Sequence, residues 1–328
     1  MIVKSKLKAF SKEFQLSKAV ETDLVKIYRS ESITRQPLSS VRPKYKKRRS
    51  VGGPTALVFS GGGNKGAAQI GMLQALIEYG FRFDFLVGCS VGALNAAGFA
   101  NNPTLQGVSD LKDLWLSLKT EDVFSSSSLF GGIRFAEKRR SVYSNSGLKH
   151  IINSMLAKVK FEDLKLPLYV GATSFNTGDE VWFDSGDLMY PLLASTALPG
   201  IFPPVSIDNM NLVDGGVLND APISKALELG ATSIFLLSCN TVEINKPLPD
   251  RPIETIIESF GVAIAARLKR ELNNLPEGIE VLVGEFAGPY NLNWKDFSHT
   301  DQLIRRSYEE MSRFLRKNYD SLTDENSN

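Results

Sequence analysis

Phe85-Leu-Val-Gly-Cys-Ser-Val-Gly-Ala-Leu-Asn-Ala-Ala-Gly-Phe-Ala100 opens with an apolar run, Phe85 to Val87, of the length of a buried strand. It turns through Gly88-Cys89-Ser90-Val91-Gly92 and continues into small helix-forming residues. Gly-x-Ser-x-Gly between a strand and a helix is the pattern of a nucleophile elbow. A serine on so tight a turn presents its Oγ above the sheet, and the turn crowds the backbone. Gly88 and Gly92 relieve the crowding because they lack a Cβ. The helix behind Ser90 aims free N–H groups and the positive end of its dipole at any anion formed there. A glycine-rich turn with an idle serine gives the same pattern, so the rest of the chain must decide.

The upstream strand has a glycine loop of its own. Thr55 to Ser60 reads as a buried strand ending in Gly61-Gly62-Gly63-Asn64-Lys65-Gly66, and a helix follows from Ala67 to about Tyr79, stopped by Gly80. Strand, loop, helix and strand in that order imply a parallel pair with a right-handed crossover. Gly61-x-Gly63-x-x-Gly66 also fits a dinucleotide fingerprint, which needs an acidic residue ending the next strand. Asp84 precedes that strand instead, and no Gly-Lys-Ser/Thr makes a phosphate-binding Walker loop. Consecutive glycines beside a nucleophile can instead expose N–H groups as an oxyanion hole. A side chain at Gly62 is then expected to intrude where the substrate carbonyl sits.

Three blocks taken together, Gly61 to Gly66, Gly88 to Gly92 and Asp214-Gly215-Gly216, resemble the signature of the patatin-like phospholipases, with the bacterial branch closest in wording. Ala194-Ser-Thr-Ala-Leu-Pro-Gly-Ile-Phe-Pro203 and Asp214-Gly-Gly-Val-Leu-Asn-Asp-Ala-Pro-Ile223 strengthen the likeness, which covers about residues 55 to 240. Lys65 stands where many members have arginine, and Ser60 where the plant proteins have aspartate. Both departures leave the backbone donors in place. The resemblance implies a three-layer α/β/α sandwich with a mostly parallel central sheet. It also implies a lipid acyl hydrolase of phospholipase A or lysophospholipase type.

By the same likeness Ser90 attacks the ester and Asp214 takes its proton directly. The loop Gly61, Gly62, Gly63, Asn64, Lys65 and Gly66 forms the oxyanion hole, and no cofactor is needed. A Ser-His-Asp triad would need His150 or His299, the two histidines of the chain, and neither lies in a glycine-bounded turn. The alternatives are a neutral-lipid or short-chain esterase on the same site, or a catalytically silent membrane-binding protein.

Length and composition bound the rest. The 328 residues suit one large α/β domain or two smaller ones, and 43% hydrophobic content supports a sizeable core. Cys89 and Cys239 lie in or beside apolar runs, which predicts reduced buried thiols. No Cys/His spacing suggests a metal.

The uncharged windows 85–109 and 188–207 are broken by Gly, Asn and Pro, so no membrane span is expected, nor a signal peptide at the lysine-rich N-terminus. Cytoplasmic or peripheral-membrane residence, or export without a signal, fits these features.

The first fifty residues carry 14 Lys/Arg against 4 Asp/Glu, whereas the remainder carries 24 against 32. Residues 1–53 therefore read as a basic amphipathic arm and linker before a catalytic domain at 54–328. Two roles fit the arm: peripheral contact with an anionic membrane, or packing on the domain. Nucleic acid binding fits less well, for want of interleaved aromatics.

Ser125 to Gly132 is a candidate lid or plain surface loop, and Ile201, Phe202, Pro203, Pro204 and Val205 are candidates for an acyl pocket or core. Leu168–Ser174 and Glu180–Phe183 read as a hairpin. The stripe Ile304, Tyr308, Met311 and Leu315 is expected to face the core.

Overall fold

A computed structural model describes residues 53–124, 141–239, 249–284 and 292–319. All of these lie within the compact unit Pro43–Asn328. The basic arm up to residue 52 and the loop Ser125 to Gly132 lie outside the described residues.

Among the described residues eight strands form one sheet: β1 (Thr55–Phe59), β2 (Phe85–Cys89), β3 (Leu168–Ser174), β4 (Glu180–Phe183), β5 (Val205–Ile207), β6 (Met210–Asp214), β7 (Ser233–Leu237) and β8 (Glu280–Gly284). The order is β5-β6-β3-β2-β1-β7-β8, with β4 paired to β3. From β3 to β8 every pairing is parallel, while β4 and β6 run antiparallel to β3 and β5 runs antiparallel to β6.

Among the described residues ten α-helices flank the strands: α1 (Ala67–Glu78), α2 (Val91–Asn101), α3 (Leu105–Ser117), α4 (Thr120–Val123), α5 (Ser146–Leu156), α6 (Met189–Ser195), α7 (Gly216–Asn219), α8 (Ile223–Glu228), α9 (Pro252–Asn273) and α10 (Thr300–Tyr319).

Both faces of the sheet are covered, as the period of two along its strands requires. On β1, Ala56 and Val58 join a cluster with Ile223 and Ala226 of α8 and Leu268 of α9. Leu57 and Phe59 join the opposite cluster with Ile70, Leu73 and Leu76 of α1 and Leu303 of α10. This is the three-layer α/β/α arrangement expected. Ile304, Met311 and Leu315 are buried, and α10 approaches α1 so closely that a Cβ on Gly71 would meet the Tyr308 backbone N at 2.8 Å. The β3–β4 hairpin also forms where the sequence reading put it.

The hairpin β5–β6 was not expected. Its turn residues, Asp208 and Asn209, have φ of 48° and 62°, the left-handed pair that a two-residue turn demands. This hairpin delivers Asp214. On β3, Gly171 pairs with Cys89 and the next residue, Ala172, pairs with Asp214. Because β4 occupies the opposite edge of β3 over Val170–Thr173, β2 and β6 meet end to end along a single edge. The residue after β2 is Ser90, so the register alone brings the two signature blocks together.

Candidate active site

Ser90 occupies the elbow with φ 54° and ψ −131°, a conformation that costs a non-glycine residue on the order of 1–3 kcal/mol. The surroundings impose it. A Cβ on Gly88 would lie 2.6 Å from Ala93 Cα, and one on Gly92 would lie 2.5 Å from the Phe59 carbonyl oxygen. The elbow closes only with glycine at both places. The Ser90 N–H donates to Ser195 Oγ at 2.9 Å, and Ser195 is fully buried at the end of α6.

The Ser90 hydroxyl donates to Asp214 Oδ2 at 2.7 Å. The other carboxylate oxygen, Oδ1, accepts the Gly216 N–H at 2.8 Å and a weak contact from the Cys89 thiol at 4.0 Å. Gly215 lies against the Gly171 carbonyl, where a Cβ would fall 2.5 Å from that oxygen. Asp214 is 3% exposed. Burial raises its carboxyl pKa to about 6, with the hydrogen bonds from Ser90 and Gly216 pulling the other way.

The two thiols are free and buried, as the sequence implied, and burial holds both well above the ordinary range, Cys239 at about 12. Neither is therefore a thiolate at neutral pH. Both histidines are exposed, and His299 lies 3.7 Å from Asp296. Among the described residues Asp214 is the hydrogen-bond partner of the Ser90 hydroxyl.

The six glycine-loop residues have distinct local roles. The Gly61 N–H donates to the Asp220 carbonyl at 3.0 Å. Gly62 and Gly63 have φ of 155° and 60°, and among the described residues their N–H groups have no acceptor. The Asn64 amide donates to the carbonyls of Asn293 and Asp296 at 2.8 and 2.6 Å, fastening the loop to the segment before α10. The Lys65 N–H closes a turn onto the Gly62 carbonyl at 3.2 Å. Gly66 packs against Val91 and Trp115. A Cβ on Gly62 would strike the Cβ of Cys239. The steric reason expected for that glycine, a carbonyl-sized space above it, is thus replaced by a contact with the end of the neighbouring strand.

Ser90, Asp214, Gly62 and Gly63 share one cavity of about 250 Å³. Much of its wall is apolar, supplied by Leu94 of α2, Leu111 and Trp115 of α3, Leu148 and Ile151 of α5, and Phe202. Ile201 and Phe202 of the suggested pocket line it, but Pro203, Pro204 and Val205 do not, and buried Val205 opens β5 instead. Phe260 and Ile264 of α9 form another wall. Three buried polar residues escaped the sequence reading although all lie beside the motifs: Gln69, Asn95 and Ser195. For Gln69 and Asn95 the available signal was a polar side chain inside an otherwise apolar helix.

Residues 57–227, just over half of the chain, match the family described as patatin-like phospholipase. The chain belongs to that family. Relatives occur in mammals, fungi and bacteria. Patatin-like phospholipase domain-containing protein 7 of Rattus norvegicus is 28% identical over 236 residues, 71% of this chain and 16% of the rat protein. Lysophospholipase nte1 of Aspergillus terreus is 26% identical over 234 residues, 67% of this chain and 14% of the fungal protein. An NTE family protein of Mycobacterium tuberculosis is 30% identical over 199 residues, 57% of this chain and 49% of its own length.

The chain thus matches only a small part of the two eukaryotic relatives and about half of the mycobacterial one. Among solved structures, VipD from Legionella pneumophila aligns with a TM-score of 0.44 at 14% identity, over 86% of this chain and 73% of that one. ExoU of Pseudomonas aeruginosa, in its complex with SpcU, aligns at 0.37 and 18%, over 80% and 51%. No helix among the described residues is long and apolar enough to cross a membrane.

Proposed function

We propose that the protein hydrolyses carboxylic esters of membrane lipids, as a phospholipase A or lysophospholipase, with Ser90 as nucleophile and Asp214 as base. The observation that carries this is the 2.7 Å hydrogen bond from Ser90 to a buried carboxylate at the polar end of an apolar cavity. In the reaction Ser90 Oγ attacks the ester carbonyl as its proton passes to Asp214 Oδ2. The N–H groups of Gly62 and Gly63, with the N-terminus of α2, receive the negative charge on the carbonyl oxygen. Collapse of the adduct breaks the ester C–O bond, and Asp214 returns the proton to the departing alcohol oxygen. Water then attacks the acyl-serine, giving its proton to Asp214, and Ser90 leaves with that proton restored.

A carboxyl group with a pKa near 6 suits this role better than an ordinary aspartate, because a base works best near the operating pH. The family membership and the lysophospholipase among the relatives support a lipid ester over other acyl compounds. The test uses wild type and Ser90→Ala with a fluorogenic phospholipid, a short-chain ester and a fluorophosphonate probe. The expectation is phospholipid cleavage and single labelling by the wild type, both lost in Ser90→Ala. Cleavage of the short ester alone would favour a general esterase. Equal labelling of the two proteins would remove Ser90 from the mechanism.

A further inference from the structure

Behind the site, three buried side chains form an unbroken hydrogen-bond chain. Gln69 of α1, Asn95 of α2 and Trp115 of α3 are 0%, 2% and 5% exposed. Gln69 Nε2 donates to the Ser60 carbonyl at 2.8 Å and to the Leu237 carbonyl at 2.9 Å. Its Oε1 accepts from Asn95 Nδ2 at 2.8 Å. The same Asn95 nitrogen donates to the Gly66 carbonyl at 3.0 Å, and Asn95 Oδ1 accepts the Trp115 indole N–H at 2.8 Å. Chemistry fixes both amide orientations, since flipping either would set its oxygen against backbone carbonyl oxygens.

The anchored carbonyls identify what the chain holds. Ser60 and Gly66 bracket the glycine loop, and Leu237 ends the neighbouring strand β7. Asn95 lies five positions beyond Ser90 on the helix that the elbow starts. Between those anchors the loop is also tied by the Gly61 N–H, the Asn64 amide and the Lys65 turn, while its two open N–H groups sit at the positive-φ glycines Gly62 and Gly63. A carbonyl oxygen developing charge needs donors within about 2.7–3.1 Å, and a misplacement of about 1 Å can cost on the order of 10²-fold.

We propose that Gln69, Asn95 and Trp115 are positioning residues that fix the glycine loop against the Ser90 helix and so set the distance between oxyanion donors and nucleophile. This rests on the reaction proposed above. Because the Trp115 ring also lines the cavity, the relay runs from the acyl wall to the carbonyls at the two ends of the glycine loop.

The test compares the full-length wild type with Gln69→Met, which keeps length and loses every polar contact, and Trp115→Phe, which removes the indole donor. The substrate is an acetate ester, too short to report on the cavity wall. Both folded variants should lose kcat, Gln69→Met by tenfold or more, with KM moving less than twofold. Affinity for a trifluoromethyl ketone, whose tetrahedral adduct needs the same donors, should fall in proportion to kcat/KM. Hydrogen exchange over residues 60–66 should quicken.

A merely structural role would lower the melting temperature and leave kcat and ketone affinity of the folded variants near wild type, and that result overturns the proposal. If Gln69→Met does not fold, Trp115→Phe decides by the same readouts. Should the wild type cleave no ester, the reaction proposal fails, and exchange at residues 60–66 still tells whether the relay holds the loop.

Discussion

At the scale of single residues, the consequential feature is a carboxyl group held at a pKa near 6 by burial. Its folded value lies above the unfolded one, so the native state binds the extra proton between about pH 4 and 6. Stability from this group is therefore full at low pH and is lost as pH rises through about 6. Ionised Asp214 then costs the fold on the order of 3 kcal/mol at neutral pH, a net figure that already includes the hydrogen bonds from Ser90 and Gly216.

Asp214→Asn removes a charge that burial disfavours, so it should melt higher than wild type at pH 8, with the gap closing toward pH 4. Hydrolysis should be nearly abolished, because an amide cannot take the serine proton. Thermal melts across that pH range, beside initial rates, give both answers. An Asn variant melting below wild type at pH 8 would contradict the electrostatic account. In the wild type, kcat/KM should climb through an apparent pKa near 6, whereas His150→Ala and His299→Ala should keep the profile and most of the rate. Ser90 and Asp214 were legible because their residue types and flanking glycines state the chemistry locally. Ser195 was not, since an isolated serine in a helix says nothing until the fold sets it under the Ser90 N–H.

At the scale of elements, glycine punctuation made the parallel strands and their helices readable. β1 and β2 are short apolar runs, and α1 keeps its expected bounds within a residue or so. The β5–β6 hairpin was obscured because its strands are only 3 and 5 residues long and its turn is Asp-Asn, not the stronger Asn-Gly signal. The glycine loop was recognisable as a donor loop, but its steric surroundings depend on Cys239, just past β7 and 177 positions beyond Gly62. Gly62→Ala puts a Cβ against Cys239 and forces alanine to φ 155°. It should lower the melting temperature as well as slow turnover at least tenfold, losing one donor being worth about 10²–10³ in rate. An alanine variant with wild-type turnover would move the oxyanion donors elsewhere.

At the scale of the whole molecule, the sequence showed an α/β/α protein but not why one edge of its sheet runs backwards. Parallel strands emerge pointing the same way, so a second parallel strand could not meet the end of β2 head on. The antiparallel β6 can, and that reversal lets a residue 124 positions after Ser90 face it. Charge is distributed just as unevenly: the first fifty residues hold 14 Lys/Arg and 4 Asp/Glu, and the rest of the chain is net acidic. Six of those cations fall between Arg42 and Arg49. Near an anionic bilayer each exposed cation contributes about 1 kcal/mol, decaying within about 8 Å at physiological salt.

Deleting residues 1–50 should therefore weaken binding to phosphatidylserine-containing vesicles at low salt, with the loss shrinking as salt is added. Because Ser90, Asp214 and the glycine loop lie wholly beyond the deletion, initial rates on a soluble acetate ester should stay within about twofold. Cosedimentation at two salt concentrations, with the ester rate as control for folding, separates the possible roles. Unchanged vesicle binding would assign attachment to the acidic domain. A deletion protein that lost the ester rate too would make the arm part of the folded domain, packed on it as a structural element.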